Sequence, residues 1–143
     1  RYRKTANIVK LEKQIRLLHR RLANIRLNYN HQITTEIVKT KPSQIVIEDL
    51  NIKGMMKNRY LSKAIAEQSL YQFTQLLTYK CELYGIKLVK ADRWFPSSKT
   101  CSECGCVKHD LKLSDRVYKC NECGSEIDRD LNAAINLSNY KVS

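Results

Sequence analysis

The sequence lacks a long apolar run, a recognisable secretory leader, a low-complexity tract and any internal repeat beyond two short cysteine turns. A membrane-spanning helix needs about 20 consecutive apolar residues, so none is expected. Without a leader the expected setting is cytoplasmic. The lack of longer repeats speaks against a stacked solenoid. Negative charge is also scarce: 14 Asp and Glu stand against 26 Lys and Arg, a formal net charge of +12. That balance calls for an anionic partner, most simply nucleic acid. A membrane surface is the rival, but the basic residues are not confined to one short helix. The 143 residues, 43% of them hydrophobic, suffice for one ordinary domain, or one with a small insert. The chain opens on Arg1 rather than Met, from which we expect it to begin inside a longer polypeptide.

Four of the six cysteines form two CxxC pairs, Cys101/Cys104 and Cys120/Cys123, with fifteen residues between the pairs. This is the spacing of a four-thiolate zinc site. Each pair is followed by glycine, Gly105 or Gly124, which tolerates the positive φ such a turn requires. One tetrahedral Zn²⁺ would fold a segment too small to have its own core. Two disulfides are the alternative, disfavoured in a lysine-rich chain of cytoplasmic character. Cys106 and His109 lie near the first knuckle and read as spectators beside four better-spaced thiolates; Cys81 reads as a buried small hydrophobe.

Periodicity predicts a long basic helix from about Ala6 to Ile37. Ile8, Leu11, Ile15, Leu18, Leu22, Ile25 and Tyr29 form one apolar seam at alternating spacings of three and four. The helix would pack on a core through this seam, or also run along a phosphate backbone. A free coiled coil is disfavoured by only about three heptads. Pro42-Ser43 ends the helical region. Gln44–Glu48 reads as a buried strand, followed by a basic loop carrying Lys53, Lys57 and Arg59, with Lys63 just beyond. A second helix is expected from an N-cap at Ser62 to a stop at Gly85, then a strand over Ile86–Lys90. Strand, helix, strand implies a parallel pair. A further strand is expected over Arg116–Lys119, and a last helix over Asp128–Asn139, with Ala133 and Ala134 facing a sheet.

Glu48 ends its strand where open parallel sheets place their ligands. Asp128 and Asp130 begin the last helix. Taken alone, such acids are ordinarily helix caps or solvated strand ends. Converging on a basic surface, they would suit Mg²⁺ and phosphodiester chemistry. Ile45-Val-Ile-Glu-Asp-Leu-Asn-Ile-Lys-Gly-Met55, the two Cys-x-x-Cys-Gly turns and Asp128-Arg-Asp-Leu-Asn-Ala-Ala-Ile-Asn-Leu137 resemble the C-terminal half of the TnpB (OrfB) family. These insertion-sequence proteins were long called transposases and are now regarded as RNA-guided DNA endonucleases related to type V CRISPR effectors.

The resemblance implies an α/β fold: a partial RNase H-like (RuvC) nuclease core over residues 1–95 with a long N-terminal helix, a zinc ribbon over 96–127, and a final helix over 128–143. It implies that Glu48 and Asp130 are two of three carboxylates holding catalytic Mg²⁺ or Mn²⁺, with Asp128 a cap or a partner one step outside the metal's own ligands. Cys101, Cys104, Cys120 and Cys123 would hold structural zinc. As a basic cluster beside an acid, Lys53, Lys57, Arg59 and Lys63 are themselves expected to meet phosphates; the resemblance adds DNA, and in the complete protein a guide RNA, as partners in a prokaryotic, nucleoid-associated setting. The family's first catalytic aspartate, in a Gly-x-Asp-x-Gly-like context before the long helix, has no counterpart here. The chain alone is therefore expected to be an incomplete enzyme; the alternative is a noncatalytic zinc-ribbon remnant that binds nucleic acid.

Overall fold

The computed structural model describes residues 3–112 and 114–141. The first, second and last two residues of the expected domain bounds, and residue 113 of the ribbon, lie outside that range. The architecture mixes helix and sheet, and the chain packs as two compact units. One contains the segments up to Lys41 and Ile52–Gly85; the other contains Pro42–Asn51 and the segment from Ile86 onward.

In the first unit, α1 spans Ala6–Lys39, capped by the Thr5 side chain, which accepts the Ile8 amide. Its seam does not form a core: the seven residues from Ile8 to Tyr29 are 45–61% exposed. The helix instead buries Asn30, Thr34 and Val38, a stripe one turn later and in a different phase. This stripe packs against α4, Leu70–Tyr84. Leu77 and Cys81 of α4 are buried there, Cys81 as the small hydrophobe expected. Lys80, only 5% exposed, spans the join: its ammonium donates to the His31 carbonyl at 2.6 Å and to the Thr34 and Thr35 hydroxyls at 2.7 Å each. Three acceptors offset part of the several kcal/mol that burying this charge would otherwise cost.

The expected second helix is broken. Its first part, α3, spans Ser62–Gln68, and Ser69 then takes a left-handed conformation at φ 52° before α4 begins. Ser62 starts that helix but does not cap it: the cap position is Leu61, with no side-chain bond. Gly85 closes α4 at φ 66°, where a side chain would be strained. Residues expected to be loop include a short helix, α2, Ile52–Met56.

In the second unit, β1 (Gln44–Glu48) pairs in parallel with β2 (Lys87–Ala91), with Glu48 opposite Ala91. β1 is half-buried rather than buried, because its outer backbone edge has no strand beside it among the described residues. A second sheet is antiparallel, β3 (Val117–Lys119) with β4 (Glu126–Asp128), and leads into α5, Arg129–Ser138. α5 packs against β1, β3 and β4. Its buried residues are Asn132 and Asn136, whereas Ala134 is exposed and Ala133 only half-buried. The face expected to lie close on a sheet through alanines is polar, and both asparagine amides donate from it to backbone carbonyls.

Candidate functional site

The cysteine segment is built by two hairpins. The Cys101 amide donates to the Cys106 carbonyl and the Cys120 amide to the Ser125 carbonyl, both at 2.8 Å. Gly105 and Gly124 turn the chain at φ 77° and 72°. The four sulfurs of Cys101, Cys104, Cys120 and Cys123 lie within 4.8 Å of one another. Two of the edges measure 3.7 Å (Cys101–Cys123) and 3.6 Å (Cys104–Cys120). A tetrahedron with metal–sulfur bonds of about 2.3 Å has edges of about 3.8 Å, so the donor set fits a zinc-sized ion. Amide hydrogen bonds from Cys123 and Glu122 hold the Cys120 thiol down to about 6. At Cys104 the Cys106 amide acts the same way, but desolvation and the crowded sulfurs outweigh it and push the thiol up. A cation is what lets all four ionise together. Cys106 and His109 stay outside the cluster.

Tyr118 plugs the segment beside Cys101 and Cys120, with Leu111 and Ile127 packed around it. Its hydroxyl donates to the Lys99 carbonyl at 3.1 Å, and desolvation, with the thiolates next, pushes it up to about 12. Tyr118 is thus a core residue. Trp94 differs: it is 85% exposed rather than packed on the ribbon. Phe95 meets the Tyr140 ring edge-on at 5.0 Å.

Glu48 opens onto a cleft of about 400 Å³ lined by Asp49, Asp92, Arg93, Trp94, Ser97 and Lys99, among others. The parallel pair places it there, since both strands end at this rim. The Ser97 hydroxyl donates to Glu48 Oε1 at 2.9 Å. Asp49 pairs with Arg93, and Asp92 accepts the Trp94 amide at 2.7 Å, acting as a turn former. Asp128 caps α5 by accepting the amides of Asp130 and Leu131. Asp130, three-quarters exposed, is paired with Arg129 at 3.3 Å and does not line the Glu48 cleft. Among the described residues the four cysteines are the one group of three or more metal-ligating side chains drawn together this closely.

In the other unit Lys53 lies on α2, Lys57 and Arg59 on the turn after it, and Lys63 on α3. All four are exposed, with no carboxylate at salt-bridge distance among the described residues. Sequence reasoning overlooked Ser97, Asn132 and Asn136. Their signal was the Asn-x-x-x-Asn spacing, which puts both amides on one helix face. No helix of the described residues is long and apolar enough to cross a membrane.

Residues 1–59 match the family described as "Probable transposase" (OrfB, IS605 type), and residues 71–137 match the Cas12f1-like TNB domain. The class is therefore that of transposon-type proteins with a four-cysteine segment. A candidate RNA-guided DNA endonuclease of Streptomyces pristinaespiralis is 39% identical over 133 residues, covering 93% of this chain and 33% of that protein. The CRISPR-associated endodeoxyribonuclease Cas12f1 of Sulfoacidibacillus thermotolerans is 33% identical over 130 residues, covering 88% of this chain and 30% of that protein. A solved complex of Cas12f1 with sgRNA and target DNA superimposes with a TM-score of 0.73 at 25% identity, over 94% of this chain and 39% of that one. The chain belongs to the TnpB/OrfB family. It spans about a third of the length of these relatives.

Proposed function

We propose that this chain is the C-terminal RuvC-like and zinc-ribbon portion of an RNA-guided DNA endonuclease encoded by a transposon. The carrying observation is Glu48 at the cleft where β1 and β2 end, with Asp130 on a helix that packs against β1. In this reading the core is RNase H-like, the cysteines hold zinc as a structural ion, and Glu48 and Asp130 supply two of three carboxylates for Mg²⁺ or Mn²⁺. Such ions, when bound, activate water and stabilise the leaving 3′ oxygen of a phosphodiester. The protein's own part is to hold the two carboxylates in place and to draw the DNA backbone in with Lys53, Lys57, Arg59 and Lys63. Exposed Trp94 at the cleft rim offers a ring on which an unstacked base can rest. Sequence choice falls to guide pairing, and the site of action is the cytoplasm, on the nucleoid.

The test is metal-dependent nicking by the zinc-loaded chain, with and without the remaining family segment and guide supplied in trans. Cleavage that appears on complementation and vanishes with Glu48→Ala supports the endonuclease. A second reading, a noncatalytic protein that binds nucleic acid, is favoured by Asp130, which is paired with Arg129 and does not line the Glu48 cleft. It predicts salt-sensitive DNA or RNA binding with no cleavage under either condition.

A further inference from the structure

A strand fixes the Cα of Glu48 but leaves three side-chain torsions free, and a divalent-cation site needs its carboxylates placed to within about 0.5 Å. Exposed as it is, Glu48 would wander among staggered rotamers unless something outside β1 held it. The contact that holds it comes from Ser97, which is only 6% exposed and donates its hydroxyl to Oε1, leaving Oε2 free for a ligand.

Ser97 is in turn held by α5. Its carbonyl accepts Asn136 Nδ2 at 2.8 Å, and the same amide reaches the Thr100 carbonyl at 2.7 Å. One turn earlier, Asn132 Nδ2 donates to that Thr100 carbonyl at 2.7 Å, while its Oδ1 accepts the Ser102 amide at 2.9 Å. Ser102 lies inside the Cys101–Cys104 knuckle. Asn132 is fully buried and Asn136 nearly so. Burying two carboxamides against a loop costs free energy unless each finds partners, and a leucine pair would serve if packing were the only need. The bonds made are directional and converge on the segment from Ser97 to Ser102. α5 also carries Asp130, so one helix bears one carboxylate and, through Ser97, sets the other.

We propose that Ser97 is the positioning residue for the Glu48 carboxylate, and that Asn132 and Asn136 hold Ser97 in register with the first cysteine knuckle. Its catalytic meaning rests on the endonuclease reading; the positioning itself does not. The metal-loaded cysteine knuckle then acts beyond its own fold, as an anchor for a carboxylate it does not touch.

The test uses the zinc-loaded full chain with ¹³C-labelled glutamate, reading the rotamer distribution and fast motion of the Glu48 side chain by NMR. The expected result is one dominant rotamer in the parent chain. Ser97→Ala should give averaging over the staggered wells with the amide spectrum otherwise unchanged, and Ser97→Thr should restore the single rotamer. Asn136→Ala should release Glu48 as well, although it does not contact that residue. Because Asn136→Ala can loosen α5, Asn136→Asp, which keeps the side-chain volume and loses the donor, is measured beside it. Glu48 equally averaged in the parent chain and in Ser97→Ala would overturn the proposal, as would Glu48 still fixed in both Asn136 variants. Failure of the endonuclease reading shows separately, as absent cleavage on complementation with Glu48 still held by Ser97.

Discussion

The long helix and the cysteine segment meet the same shortage of core in opposite ways. Along α1 seven apolar side chains recur with regular spacing and stay about half exposed, so among the described residues the helix from Ile8 to Tyr29 carries a largely uncovered face. In the cysteine segment strands of three residues enclose Tyr118 and Cys101 almost completely around a cluster of sulfurs. Apolar periodicity declares that a face can be buried, and leaves open against what. Ligand spacing says more, because four thiolates gathered within 4.8 Å suit a soft, tetrahedral metal ion. The first region leaves its apolar face open; the second brings together four sulfurs that could hold one ion.

Removing the metal should break this contrast most forcefully. Chelation, or Cys120→Ser, is expected to erase amide dispersion from Lys99 to Asp128 while α1 and α4 keep their helical signal. Structural zinc supplies on the order of 10 kcal/mol or more in small metal-folded segments. Simultaneous loss of both signals would show the contrast to be wrong. Next in size is Leu77→Ala, which empties a fully buried position and should cost about 2–5 kcal/mol in urea unfolding.

Lys80 sharpens the comparison through pH. Burial lowers its affinity for a proton below the ordinary 10.5, so the folded chain binds that proton less tightly than the unfolded chain. The burial penalty is present in full below the folded value and is relieved as pH rises toward and through 10.5. Stability of the α1–α4 join should therefore climb with pH in that window, and Lys80→Met should flatten the climb. The smallest effect belongs to the seam: Leu18→Ala should change stability by no more than about 0.5 kcal/mol, since Leu18 is already 60% exposed. A loss like that of Leu77→Ala would mean the seam is covered in solution.

Local chemistry was legible where one residue decides the outcome. The start of α1 at Ala6, the bounds of β1, the stop at Gly85 and the cap at Asp128 follow from turn and capping preferences. The convergence of the four cysteines follows from spacing alone. What escaped was set by tertiary packing. Ser69 takes a left-handed conformation without a glycine to announce it. The buried stripe of α1 contains Asn30 and Thr34, and that of α5 contains Asn132 and Asn136, so a search for apolar periodicity selects the wrong face in both helices. Lys80 reads as a surface lysine until the three oxygens of α1 are seen around it.

The central claim, that Glu48 and Asp130 share one hard cation, is most directly tested by titrating Mn²⁺ into the zinc-loaded chain while following both carboxylates by ¹³C NMR. The account predicts that the two signals broaden over the same concentration range and that Asp130→Asn weakens the effect at Glu48. Broadening at Glu48 that ignores Asp130→Asn, or its absence at both residues, would contradict it.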